Sequence, residues 1–201
     1  MTITIKSIIE SLSNEQISSE RRMYLDELSK YIHEKRTQSK AINLNFICTH
    51  NSRRSQFSQV WAFVLGTYYS IPINSYSGGV EVTACNERTI ASLKRMGFVI
   101  ESKPNGTNPI YSLSFGTNTS INLFSKHYDD PVNPQNDFAA IMTCASADEN
   151  CPFIPGAEKR FAIRFEDPKA FDNTELERSK YDERSLQIAT ELNYVFKKLV
   201  T

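Results

Sequence analysis

Residues 44–68, LNFICTHNSRRSQFSQVWAFVLGTY, decide the fold. The first five are a short apolar run ending at Cys48, which predicts a buried strand. The polar stretch that follows is too short for an element of its own and predicts a tight loop. Phe57, Val60, Trp61, Val64, Leu65 and Tyr68 then recur at helical spacing, and such a stripe is the core-facing side of a helix. Strand, loop and helix succeed one another with no room for anything between. Five residues separate Cys48 from Arg54 within the loop, with Ser55 directly after. A thiol at a strand end therefore faces an arginine at a helix start, with backbone amides between them.

That arrangement suits an oxyanion. Successive amides at a helix N-terminus bind tetrahedral anions. Arginine adds a planar two-pronged clamp that lysine lacks. A free thiol titrates near ~8.5, and a helix N-terminus with a neighbouring arginine favours its reactive thiolate form. Ser52 and Ser55 supply hydroxyls to bond the sulfur or brace the loop. Asn51 suits a positive φ, which asparagine tolerates.

Outward from the loop, the chain alternates. Residues 71–77 predict a second strand running into Gly78-Gly79, and residues 83–96 a second helix facing inward through Ile90, Leu93 and Met96. Gly97 suits its C-cap. Residues 98–101 predict a third strand, and the Asn/Gly/Thr/Ser-rich stretch 103–122 an insertion at a sheet edge, with 110–115 as an extra strand pair. A short strand is expected over 123–128, a buried one over 138–144 (FAAIMTC), and a last one over 160–165. Residues 174–199 carry an apolar stripe of Tyr181, Ile188, Leu192, Val195 and Leu199 that predicts a long helix. Alternating strands and helices imply an α/β fold, a central parallel sheet with helices on both faces. Ligands in such sheets bind at the carboxyl ends of the strands, where Cys48, Cys144 and Asp167 all fall. Residues 1–40 are polar and charged, with helical faces at Ile5, Ile8, Ile9, Leu12 and at Leu25, Leu28, Ile32. They predict a helical extension on a main domain of 41–201, as structural cover or a dimer surface.

Composition narrows the functions. The chain has 201 residues, enough for one domain, and its formal net charge is zero. Nothing in that balance favours nucleic acid or an anionic membrane as a partner. No apolar run has membrane-spanning length and no signal-peptide pattern opens the chain, so a cytoplasmic setting is expected. There, Cys48, Cys85, Cys144 and Cys151 are expected as reactive or buried thiols rather than structural disulfides. Three scattered histidines argue against a metal site, and Cys85, without a motif partner, reads as a non-catalytic thiol.

The loop Cys48-Thr49-His50-Asn51-Ser52-Arg53-Arg54-Ser55-Gln56 resembles the anion loop of the low-molecular-weight protein tyrosine phosphatase superfamily. It is closest to that of the thioredoxin-coupled arsenate reductases, C-T-G-N-S-C-R-S-Q. Two further matches follow in order: 76–81 (YSGGVE) resembles the Y-S-A-G segment, and 166–168 (EDP) the late Asp-Pro motif. The resemblance covers roughly 42–199, apart from 103–122. It implies Cys48 as nucleophile and Thr49, His50, Asn51, Ser52, Arg53 and Ser55 around the oxyanion. Arg54 becomes the clamp and Asp167 the general acid.

The stretch 144–152, CASADENCP, separates the subfamilies, since the reductases carry a similar C-G-D-A-D-x-x-C-P segment that plain phosphatases lack. It implies a thiol relay: Cys144 attacks Cys48, and Cys151 then attacks Cys144. A flexible, proline-free linker between them would permit the exchange. The partners implied are arsenate or phosphate and thioredoxin or a similar reductant. The rival activity is phosphate-monoester hydrolysis through a phospho-cysteine; a third reading is a non-catalytic oxyanion-binding or redox-sensing module. No cofactor is implied beyond a potassium ion beside the loop in some reductases. Asn51 and Ser77 match that pattern, while Gln59 stands at an acidic position. His50 replaces a glycine, Arg53 a second loop cysteine, and Lys169-Ala170-Phe171 the paired tyrosines of a phosphotyrosine pocket.

Overall fold

The computed structural model describes residues 1–116, 119–150 and 153–200, the side chain of Asn150 excepted. Its centre is a sheet of four parallel strands: β1 (Asn43–Cys48), β2 (Asn74–Gly79), β6 (Phe138–Met142) and β7 (Ala157–Ala162), in the order β2-β1-β6-β7. Phe46 sits opposite Ser77 on one side and Ile141 on the other. The chain leaves β1 toward β2 and later returns to β6, so the order reverses beside β1. Crevices at such reversals lie at the carboxyl ends of the strands, and Cys48 ends β1.

Helix α3 (Arg54–Tyr68) packs on one face with α6 (Glu177–Lys197). Trp61 anchors that layer. It is fully buried, meets Phe98 edge to face at 5.6 Å, and donates its indole N–H to Ser185 Oγ at 3.0 Å. Helices α1 (Ile3–Ser11) and α2 (Ser19–Thr37) add Ile5, Ile9, Leu25, Leu28 and Ile32 to the same core. The opposite face carries a smaller cluster of Ile47, Phe138, Ala140 and Met142, covered by Ala147 of α5 (Ala145–Asn150) and by Ile154. Leu44 and Phe46 point to the first cluster and Ile47 to the second, the period-two alternation of a strand buried on both faces.

Several expectations are corrected. The third strand, β3 (Val99–Lys103), does not join the parallel sheet. It pairs antiparallel with β4 (Ile110–Ser114), which pairs antiparallel with β5 (Ser120–Leu123), in a separate sheet. Only Ile100 of β3 is buried, the pattern of a strand solvated on one face. The 103–122 stretch therefore builds its own sheet with β3 instead of extending the central edge. Second, β2 begins at Asn74, whose first ladder partner is Asn43, beyond Pro72, which has no N–H for a ladder. Third, the segment after Cys144 is not a flexible linker: 145–150 coils as α5. The second predicted helix, α4 (Glu87–Arg95), starts later than expected, capped by Asn86. Among the described residues no helix is long and apolar enough to cross a membrane.

Candidate active site

The loop between β1 and α3 is tied down from outside by its carbonyl oxygens. Cys48 O accepts from Val80 N (3.2 Å), Thr49 O from Glu81 N (2.8 Å), and His50 O from Ser125 Oγ (2.8 Å). Asn51 O accepts from Gln56 Nε2 (2.8 Å) and Ser52 O from Asn86 N (3.0 Å). With five successive carbonyls spent outward, the amides are the loop polar groups left for a ligand. Two features make so tight a loop possible. Asn51 takes a left-handed φ of 46°. Gly79 lets β2 approach: a Cβ there would lie 2.7 Å from Asn51 N and 2.8 Å from Thr49 O.

Cys48 is buried, and its sulfur lies 3.1 Å from Ser55 Oγ. Asn51 Nδ2 donates to that same oxygen at 2.9 Å. Either atom of that contact can donate while Cys48 is a thiol, and Ser55 is the donor once Cys48 is a thiolate. Asn51 Oδ1 in turn accepts from Lys126 N at 3.1 Å. The chain Lys126–Asn51–Ser55–Cys48 therefore holds a hydroxyl beside the sulfur, placed to donate to it as a thiolate. Ser52 Oγ braces the loop by donating to Ala84 O at 2.7 Å.

The two arginines divide. Arg54 donates through Nη2 to Asp167 Oδ2 (2.6 Å) and through Nη1 to Phe165 O (3.0 Å). Arg53 points mainly below the loop, donating from Nε to Tyr181 Oη (2.7 Å) and from Nη2 to Asp172 Oδ2 (3.3 Å), while its Nε stays 4.0 Å from Asp167 Oδ1. Burial and the bond that Tyr181 donates to Asp172 push the phenol well above its ordinary range. The Arg53 guanidinium is thus a brace under the loop, and its backbone amide remains for an anion. His50 faces outward, with Nδ1 3.1 Å from Glu81 Oε2.

Asp167 follows β7 and caps a short 3-10 helix (Pro168–Phe171), accepting from Lys169 N at 3.0 Å. Cys48, His50, Ser52, Arg53, Arg54 and Asp167 enclose a space of about 10 Å³. A wider cleft of about 490 Å³ adjoins it, sharing His50, Ser52 and Arg53 and walled by Thr83, Tyr111 and Lys169. The strand β4 of the second sheet supplies Tyr111, so that sheet reaches the mouth of the loop.

Cys144 is buried two residues beyond β6. Its sulfur lies 3.5 Å from Thr49 Oγ1 and accepts from Ala147 N at 3.3 Å. Thr49 directly follows Cys48, so the contact sets the second thiol against the anion loop. Cys151 lies outside the described residues.

Comparison with known proteins decides the family. No protein-family model matches the chain. Arsenate reductase 1 of Staphylococcus saprophyticus is 31% identical over 144 residues, covering 71% of this chain and 90% of that protein. Arsenate reductase 2 of Staphylococcus epidermidis is 31% identical over 134 residues, covering 66% and 83%. The chain belongs to the arsenate reductase family. Solved structures place the family's fold among the low-molecular-weight phosphatases. A YwlE mutant from Bacillus subtilis has a TM-score of 0.53 at 11% identity, covering 80% of this chain and all of that one. A low-molecular-weight phosphotyrosine phosphatase from Vibrio cholerae O395 has a TM-score of 0.52 at 11% identity, covering 79% and 97%.

This arsenate reductase family member brings Cys48, Thr49, Arg54, Ser55, Cys144 and Asp167 to one end of the sheet. Cys85 is fully buried, and burial pushes its thiol up to about 12, which sets it apart as a poor nucleophile. Among the described residues no cluster of His, Cys, Asp or Glu is arranged to hold a metal. The potassium pattern fits poorly. Ser77 Oγ donates to Gln59 Oε1 at 2.6 Å, and both polar atoms of the Asn51 side chain are spent. The neutral Gln59 offers no charge to a cation.

Three residues beside the site carry no functional signal in the sequence. Tyr181 was part of a core stripe, and only its distance of 128 positions from Arg53 hid the bond. Asp172 showed no signal. Lys126 lay in a stretch expected as a strand, yet it is 4% exposed, beneath the loop.

Proposed function

We propose that the chain reduces arsenate to arsenite with Cys48 as nucleophile and Cys144 and Cys151 as relay. One observation carries the reading: Cys144 Sγ stands 3.5 Å from Thr49 Oγ1, against the loop that presents Cys48. The Cys48 thiolate attacks arsenic, an As–O bond breaks, and Asp167 protonates the departing oxygen as water. Loop amides and the Arg54 guanidinium hold the remaining oxygens. Cys144 as thiolate then attacks Cys48. The S–S bond forms as the S–As bond breaks, and its electron pair stays on arsenic, reducing As(V) to As(III). Arsenite leaves, and the two sulfurs are oxidised together. Cys151 attacks Cys144, which releases Cys48 as thiolate, and a dithiol reductant of the thioredoxin class returns the pair to thiols.

The opening pairing of Arg54 with Asp167 suits this cycle. An oxyanion entering the loop competes with the carboxylate for the guanidinium, which frees Asp167 to act as an acid. The test is arsenate turnover with thioredoxin and its reductase. Cys48→Ser, Cys144→Ser and Cys151→Ser should each reduce it to background.

The adjoining cleft favours a second reading, hydrolysis of phosphate monoesters by Cys48, Arg54 and Asp167. Bare arsenate has no use for 490 Å³ beside the mouth, while a leaving group does. Under that reading Cys144→Ser and Cys151→Ser keep full activity on an aryl phosphate, and Cys48→Ser loses it. A wild type that binds phosphate yet performs neither reaction would instead fit a binding module.

A further inference from the structure

The relay asks Cys151 to reach Cys144, and the fold between them resists it. A disulfide needs its two Cα atoms within about 7 Å. Helix α5 spans 145–150, and a helix advances about 1.5 Å per residue, so a coiled α5 carries the chain steadily away from Cys144. The exchange therefore requires its turns to open.

What holds α5 coiled is visible, and it is not the sequence of the segment. ASADEN has no apolar stripe, and so short a helix is not stable by propensity alone. Ala147 alone is apolar and buried, and the polar side chain that is held is that of Asp148. Its side chain is 2% exposed and ion-paired with both Arg160 and Arg164. Arg164 Nε donates to Oδ2 at 2.5 Å, and Arg160 also donates to the Asp148 carbonyl. The Asp148 amide closes the first turn on Cys144 O at 3.1 Å, while Ala147 N holds the Cys144 sulfur. The pairing is anchored from the far side as well. Arg21 of α2 donates to Arg164 O at 2.9 Å and pairs with Glu191 of α6.

We infer that Asp148, clamped by Arg160 and Arg164, is the latch that keeps α5 coiled over Cys144 and releases it for the second exchange. The inference rests on the relay reading for its purpose, but the latch itself is a property of the reduced protein. Asp148 is a positioning residue in it, since it touches neither substrate nor sulfur. A buried carboxylate held by two arginines loses much of its hold when one is neutralised, and segments held by few contacts open locally. Arg164 is the better one to change because it is about half exposed.

The test uses the full-length reduced protein without arsenate. Alkylation of each cysteine by a small maleimide is followed by mass spectrometry. Arg164→Gln should speed labelling of Cys144 about ten-fold or more, because opening no longer breaks that ion pair. Labelling of Cys85, buried elsewhere, should not change. Arg164→Lys, which keeps the charge, should return most of the protection, and Arg160→Gln should repeat the effect. Unchanged Cys144 labelling, an equal rise at Cys85, or no recovery with lysine would each overturn the latch. Failure of the relay shows differently, as full thioredoxin-coupled turnover in Cys151→Ser with the labelling pattern intact.

Discussion

Arg54 donates to Asp167 at 2.6 Å, across 113 positions of sequence, and closes the mouth of the loop that holds Cys48. In the proposed cycle, the guanidinium that would clamp an oxyanion and the carboxylate that would protonate it are thus partners before substrate arrives, and neither could perform its role until the pair parts.

Asp167→Asn should therefore move binding and turnover in opposite directions. With the carboxylate gone, Arg54 is free for an anion, and inorganic phosphate should bind several-fold tighter by calorimetry. Turnover should fall by about 10²–10⁴, the usual contribution of a general acid. Weaker phosphate binding would show that the pair does not gate the loop.

Asn51 combines a left-handed backbone with two side-chain bonds, and the two contributions are separable. Asn51→Ala should destabilise the fold by about 2–3 kcal/mol, from the φ of 46° and two lost hydrogen bonds. Asn51→Gly keeps the backbone free of strain and should cost about 1 kcal/mol less. Both should lose the orientation of Ser55 and most of the activity. Urea unfolding midpoints for the pair check the ordering, and equal losses for Gly and Ala would remove the strain argument.

Gly79→Ala should disable the loop without unfolding the chain. The added methyl meets backbone atoms of residues 49, 51 and 81 within 2.8 Å, and none of these is a flexible side-chain end that can swing aside. Loss of phosphate binding with retained far-UV circular dichroism is the expected result. A variant that binds phosphate normally would mean the loop has slack the close approach does not suggest.

Lys126 should make the protein less stable at neutral pH than it need be. Its ammonium is buried and has no hydrogen-bond partner among the described residues, with the charge of Asp130 and the Phe124 ring at 4.5 Å as partial compensation. Burial pulls its pKa down to about 8 from the ordinary 10.5. Between those values the unfolded chain holds a proton that the folded chain has lost, so this group's contribution to stability rises with pH. Below about 8 the full penalty stands, of order 3 kcal/mol. Lys126→Met should thus raise the urea midpoint at pH 7, and its advantage should shrink from pH 8 upward. Cys85, whose raised pKa acts in the opposite sense above pH 9, is coupled to Lys126, so the comparison is read between pH 7 and pH 9. A constant difference across this range would contradict the buried charge.

The part of the site that is local in sequence was legible. The strand, the loop and the helix from 44 to 68 follow from periodicity, and the strand-end rule gathers Cys144 and Asp167 beside Cys48. What periodicity does not carry is the partner. It finds β3 as a strand but not that β4 is its neighbour, and it finds Arg53 in the loop but not Tyr181 beneath it. The helix α5 was missed for a related reason. Its acidic segment has no apolar stripe, and its coil is sustained by Arg160 and Arg164, which arrive from a later part of the chain.

The central claim is that reduction passes from Cys48 through Cys144 to Cys151. The most direct measurement compares arsenate turnover, coupled to thioredoxin, with aryl phosphate hydrolysis in Cys144→Ser and Cys151→Ser. The account predicts that both variants lose arsenate turnover while any hydrolysis by Cys48 stays at the wild-type level. Thioredoxin-coupled arsenate reduction at the wild-type rate in either variant would contradict it.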